Sequence, residues 1–486
     1  MAAVVAVVLV ILHLTISDIM AGCPYQDCTC RDEYIECQNL KFDNMPPLTP
    51  DFVNTYTVLR IQNNRITSIT DNSIPAGLTE IDFGNNPISD IATGAFNKSA
   101  STLQVLSLTN TQLTEIPDAF LSLTKLTRLT IKNSPLQNWR LDILTHIGAS
   151  LRELTLNNVG LTSWPGWLAH FPSLTVLSLS NSLLNPIPDT AFNLLAASLQ
   201  KLTITSAHLT SIPKALTVLS NLTSLDLSNN SITEVENLPL LSQLESLSLG
   251  FNNISDVYKL VYELSPHAVT LTYLYLHFNR LPIIPRLGHM TALEVIHLGN
   301  NHITDSTSDL LPSEVFSLQL SNNNLKSIPH AVSQLPKLRQ LFISGNSIQE
   351  IHLSDLPVQL SHLDIQNNAL QKIQDHIFPE HSSLRTLLLS GNPIATVSDS
   401  AFKSLSELDS LAMRNTSLTR VPAALSDLAN LNTLDLSQNP GLVCTCQEAG
   451  LLTWFQARPN MAVLGSCGDD NVRDFFTNLA PQCSKQ

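Results

Sequence analysis

One pattern constrains the chain more than any other. L-x-x-L-x-L-x-x-N-x-L, with Ile or Val at some apolar positions, recurs seventeen times in 486 residues at steps of 22 to 27. Its central apolar residue falls at Leu59, Ile81, Leu106, Leu129, Leu154, Leu177, Leu202, Leu225, Leu247, Leu274, Ile296, Leu318, Leu341, Leu363, Leu387, Leu411 and Leu434. A unit this short cannot bury its apolar side alone, so neighbours must stack and share one core. Within each unit x-L-x-L-x alternates with the two-residue period of a strand, which sends the leucines inward and the residues between them to solvent. Successive strands must then run parallel. The Asn that ends the pattern turns the chain, and its amide can serve backbone groups of adjacent turns that would otherwise be buried unpaired. Asn64, Asn86, Asn230, Asn252, Asn279, Asn301, Asn323, Asn346, Asn368, Asn392 and Asn439 are the expected ladder. Leucine supplies 84 residues, the composition such a core demands.

The ladder is broken in repeats three to seven, which carry Thr111, Ser134, Val159, Ser182 and Ala207 at the Asn position, and in the sixteenth, which carries Thr416. The hydroxyls can substitute in part; Val159 and Ala207 cannot. Steps in this stretch alternate between 25 and 23 residues, which points to duplication of a two-repeat unit. An interrupted ladder with altered curvature is expected there. Behind the strands, Phe96, Phe120, Phe192 and Phe402 each follow an Ala after the turn and are assigned to core packing.

The ends fix the compartment. Residues 1–21 carry an apolar run too short for a spanning helix of about 20 residues, and small residues Ala21-Gly22 follow it, which predicts a signal peptide cleaved after Ala21. No other stretch is apolar enough to cross a membrane. All eight cysteines lie in two clusters, Cys23, Cys28, Cys30 and Cys37 at the front and Cys444, Cys446, Cys467 and Cys483 at the back. In a secreted chain such clusters predict disulfides; the competing reading is two zinc sites, for which C-x-C is a tighter spacing than usual. Four cysteines allow three pairings in each cluster. Five N-glycosylation sequons, at Asn97, Asn221, Asn229, Asn253 and Asn415, fit the same route. The net charge of −14, with only 26 Lys and Arg, argues against nucleic acid, whose binding needs clustered cations.

The repeat is identified as a member of the leucine-rich repeat class. Cys23-x4-Cys28-x-Cys30-x6-Cys37 resembles the N-terminal cysteine cap of extracellular leucine-rich repeat proteins, and Asn439-Pro440 with Cys444-x-Cys446, Trp454, Cys467 and Cys483 resembles the C-terminal cap of Slit, chaoptin and Toll-receptor ectodomains. The resemblance implies pairing of first with third and second with fourth cysteine: Cys23–Cys30, Cys28–Cys37, Cys444–Cys467 and Cys446–Cys483. The fold class expected is α/β, a leucine-rich repeat solenoid or horseshoe with a parallel β-sheet on its concave face, about seventeen repeats and disulfide caps at both ends. Its parts are a signal peptide at 1–21, a cysteine cap at 22–52, repeats at 53–440 and a second cap at 441–486. The alternating repeats are also similar to a non-catalytic subunit of a secreted shrimp luciferin monooxygenase.

No nucleotide-binding, zinc-protease or nucleophile-elbow motif occurs, and Ser, His and Asp are scattered through the repeat without convergence. The chain therefore reads as non-enzymatic, with no cofactor and no metal. What remains is the exposed strand face. Its first half carries small hydroxyls, whereas repeats ten to fourteen add Tyr273, Tyr275, His277, His297, Phe342 and His362. Aromatics on a rigid sheet bring large contact area at low entropy cost, so these six are the expected protein-binding residues. His277 lies between Gly250 and Gly299 on adjacent strands, which should leave a notch around its imidazole. The expected function is a secreted scaffold for extracellular recognition or adhesion, whose partner is an extracellular or cell-surface protein or a second copy; an accessory subunit of a secreted enzyme is the alternative.

Overall fold

The structure, a computed structural model, describes residues 22–50, 55–240, 243–304, 310–445, 448 and 450–479. The expected signal peptide, Cys446 and Cys483 lie outside these residues, and with them the expected Cys446–Cys483 bond. The described chain forms two compact units: the first extends to Leu209 and includes Pro213–Asp226, and the second comprises Thr210–Ile212 with the residues from Leu227 onward.

The first unit opens on an antiparallel hairpin, Thr29–Arg31 against Tyr34–Glu36. Disulfides Cys23–Cys30 and Cys28–Cys37 tie this hairpin, in the pairing the resemblance implies. Tyr34–Glu36 then pairs in parallel with Val58–Arg60, and parallel pairing continues through Glu80–Asp82, Val105–Thr109, Arg128–Lys132, Glu153–Asn157, Val176–Ser180, Lys201–Thr205 and Ser224–Asp226. Register is set by the leucines: Leu59, Ile81, Leu106, Leu129, Leu154, Leu177, Leu202 and Leu225 sit opposite one another and are buried. Each contributes about 1.5–3 kcal/mol by leaving water. A one-residue slip would turn the whole row outward.

The second unit repeats the arrangement. Ser246–Ser248, Tyr273–Tyr275, Val295–His297, Ser317–Gln319, Gln340–Phe342, His362–Asp364, Thr386–Leu388, Ser410–Ala412, Thr433–Asp435 and Ala462–Leu464 pair in parallel, in that order. Its end is closed by the Cys444–Cys467 disulfide and the helix Leu451–Gln456, whose Trp454 donates its indole N–H to the Leu428 carbonyl at 3.1 Å. Phe455 stacks on Phe476 beneath that helix at 5.0 Å.

The asparagine ladder decides how long each strand is. Asn279 donates to the Leu249 and Leu276 carbonyls at 2.9 and 3.1 Å and accepts from the Ile254 N–H at 2.9 Å. Asn252, Asn301, Asn323, Asn346 and Asn368 repeat the scheme. The amide takes carbonyls that could otherwise bond the next strand, and these strands stop at three residues. In repeats three to seven, where the Asn is missing, strand pairing runs on for two further residues and the strands are five long. The hydroxyls serve in part, with Thr111 Oγ1 and Ser134 Oγ in a buried hydrogen bond of 2.7 Å. Val159 and Ala207 are simply buried. Phe96, Phe120, Phe192 and Phe402 are fully buried behind the strands, as expected.

A candidate protein-binding face on the second unit

The register of the second unit fixes where its aromatics stand. Tyr275 lies opposite His297, and Gln319 follows on the next strand, then Phe342. Tyr273 and His362 occupy the outer column of their strands, and Tyr273 is 39% exposed. The six residues read from the sequence thus share one face, and five of their rings form two groups, with Tyr273 in neither. In the first, His277 stacks on His297 with centroids 4.3 Å apart and planes 17° from parallel, and Tyr275 meets His297 edge-on at 6.3 Å. In the second, Phe342 packs against His362 at 4.9 Å. The strand Ser317–Gln319 separates them, its Gln319 side chain held by the Ser321 hydroxyl at 2.9 Å.

The glycines beside His277 do not leave a notch; the imidazole fills it. A Cβ on Gly250 would stand 2.5 Å from His277 Cε1 and 2.9 Å from Nδ1, so the ring lies directly over the glycine. A Cβ on Gly299 would come 3.2 Å from the Ser321 carbonyl and 3.3 Å from His297 Nε2. We expect Gly250→Ala to push the imidazole off its seat and undo the His277–His297 stack. The expected cost is about 1 kcal/mol, read as a fall of about 3 °C in the melting temperature of the second unit. An unchanged melting curve would mean the ring has another seat of equal energy.

Burial sets the charge of this face. The His297 imidazole is pushed down to about 4, first by burial and then by the neighbouring His277. Burial also lowers His362, against the opposing pull of Asp364. Both rings are neutral at physiological pH, so they offer flat, polarisable surface with hydrogen-bonding edges. Among the described residues no three His, Cys, Asp or Glu side chains are grouped to hold a metal ion.

Two residues absent from the sequence reading belong to the first ring group. Phe251 stacks on Phe278 at 4.2 Å with planes 11° apart, and Phe251 meets His277 edge-on at 5.2 Å. They are 41% and 44% exposed. Both occupy the position just before the ladder Asn, beyond the strand. A signal was present: that position is Asn or Gly in most repeats and Phe in two adjacent ones.

Of the five sequon asparagines, Asn97, Asn221, Asn229 and Asn415 are exposed and Asn253 is half-buried. Asn221 donates its amide to the Ala197 carbonyl at 2.6 Å. No helix among the described residues is long and apolar enough to cross a membrane.

The leucine rich repeat family model matches residues 76–136, 197–254, 291–348 and 382–440. Podocan of Mus musculus is 28% identical over 255 residues, 46% of this chain and 41% of podocan. Human oligodendrocyte-myelin glycoprotein is 34% identical over 149 residues, 30% of this chain and 32% of that protein. The chain thus spans less than half the length of either relative. Among solved structures, the mouse RP105/MD-1 complex aligns with 90% of this chain and 80% of its own at a TM-score of 0.65 and 20% identity, a likeness of fold. Parallel strands in leucine register, an asparagine ladder behind them, cysteine-bonded ends and the family match together make this chain a member of the leucine-rich repeat family.

Proposed function

We propose that the chain is an extracellular, non-enzymatic scaffold that binds another protein through the strand face of its second unit. The observation that carries this reading is the ring group of Tyr275, His277 and His297, with Tyr275 and His297 in strand register and the His297 imidazole neutral, beside the second pair Phe342 and His362. Aromatic side chains on a rigid sheet lose little entropy on contact and concentrate binding energy. The disulfide-bonded ends fit an oxidising compartment. The structural neighbour in the RP105/MD-1 complex is a leucine-rich repeat chain with a protein partner, which favours a protein ligand here as well.

The test begins with capture of the partner from the native extracellular fluid, followed by affinity measurement on purified components. Tyr275→Ala combined with His297→Ala is expected to weaken the complex at least about tenfold, the loss of roughly 1.4 kcal/mol of contact energy. Thr130→Ala combined with Thr155→Ala, on the strand face of the first unit, is expected to leave affinity unchanged. Equal affinity for wild type and the Tyr275/His297 variant would remove the second unit's face from the interface.

A further inference from the structure

The residue before the ladder Asn has a positive φ in every repeat of the second unit. Asn229, Asn300, Asn322, Asn367, Asn415 and Gln438 lie between 51° and 57°, and Gly345 and Gly391 at 67° and 71°. Phe251 and Phe278 sit in the same conformation at 54° and 53°. Asn and Gly enter the left-handed region at little cost; a bulky side chain there is strained. Strain kept at an exposed site points to a function for the side chain. The two rings are adjacent, stacked and about half in solvent, an apolar platform that a chain in water normally covers.

What lies beside the platform is a sequon. Asn252 turns inward, with its amide on the Leu227 and Leu249 carbonyls, and Ile254 is fully buried. Phe251, Asn253 and Ser255 therefore all face outward from one turn, two residues apart. We propose that Asn253 carries an N-linked glycan and that the Phe251–Phe278 pair is its seat, the apolar face of the first N-acetylglucosamine lying on the exposed aromatic surface. In the linkage step the Asn253 amide nitrogen attacks the anomeric carbon of a polyprenyl-diphosphate oligosaccharide. A C–N bond forms, the C–O bond to the diphosphate breaks, the diphosphate leaves with the bonding pair, and the amide N–H proton passes to a base. Tethering makes the contact intramolecular, so a weak stacking interaction suffices to hold the sugar. The inference rests on the secretory route proposed above. It also removes the phenylalanine pair from the surface left for a protein partner, leaving Tyr275, His297 and Phe342.

The test expresses the full chain in a glycosylating secretory host and maps the five sequons by mass spectrometry. Asn253 is expected to be occupied. Phe251→Asn, which suits the left-handed turn, is then placed in the glycosylated chain and in a Ser255→Ala chain that lacks the sequon. The expected result is a change of sign: a melting temperature lower by about 2 °C with the glycan present and higher by a similar amount without it. Enzymatic release of the Asn253 glycan from the native protein should also speed up about fivefold in Phe251→Asn, as expected from loss of a contact near 1 kcal/mol. An unoccupied Asn253 beside occupied sequons elsewhere, or an equal shift in both backgrounds, would overturn the proposal. A chain bare at all five sequons would overturn the secretory reading along with it.

Discussion

Replacing Asn279 with Ala is expected to lower the melting temperature of the second unit by about 5 °C, the effect of roughly 2 kcal/mol in a unit of this size. The side chain is 5% exposed and does three things at once. It caps the Leu249 carbonyl of the previous repeat, the Leu276 carbonyl of its own and the Ile254 N–H between them. Alanine leaves the Ile254 N–H without its partner in a place water does not reach, at about 1–3 kcal/mol for an unpaired buried donor, while the Leu249 and Leu276 carbonyls keep the amides of Asn252 and Asn301. Asn300→Gly, one residue from the next rung and at a half-buried left-handed turn position that glycine accepts, removes a similar side chain without touching those carbonyls. It should cost less than a third as much. A loss under about 1 kcal/mol for Asn279→Ala, measured by urea or thermal unfolding, would mean that the neighbouring strands recapture the freed groups. Repeats three to seven show the form that recapture takes, since their strands extend by two residues.

Acid is expected to destabilise the second unit well before its carboxylates titrate fully. His297 is held down to about 4 in the folded chain, against an ordinary value near 6.5. Above pH 6.5 the ring is neutral in both folded and unfolded states and its titration has no effect. As the pH falls from 6.5 to about 4, the unfolded chain takes up a proton that the folded chain refuses, so stability is lost over that window. The loss at this one ring is about 2 kcal/mol once its partial contact with solvent is allowed for. His362 and His267, both lowered by burial, act in the same direction. His267 is fully buried behind the strands, and its ring nitrogens have no hydrogen-bond partner among the described residues. The check is the difference in unfolding free energy between pH 7 and pH 4.5 for wild type and for His297→Phe, which keeps a flat ring and removes the proton. The variant should lose less stability than wild type over this range. Identical losses would show that the imidazole is as easily charged in the fold as outside it.

The repeat made most of this fold legible. Once Leu-x-Leu sets which side of the strand is buried, the pairing of Leu274 with Leu247 and Ile296 follows, and so does the column that holds Tyr275 and His297. The breaks in the ladder were equally legible, because a carbonyl without an Asn amide must find another donor. Three things were not. The strand lengthening depends on where those carbonyls turn, which a pattern of residue types does not state. The imidazole over Gly250 depends on a side-chain rotation, and two glycines flanking a histidine suggest empty space as readily as a seat. Phe251 and Phe278 lie outside the strand, and their role depends on a left-handed backbone that only the repeated φ of the column reveals. The division into two ring groups arises because Gln319, unremarkable in sequence, stands between His297 and Phe342.

Hydrogen exchange of the full chain, free and saturated with the captured partner, tests the central claim most directly. The account predicts added protection at Tyr273–Tyr275, Val295–His297 and Gln340–Phe342, with the first unit's strands unchanged. Protection confined to the first unit, or to the back of the second unit around the helix Val257–Leu264, would contradict it.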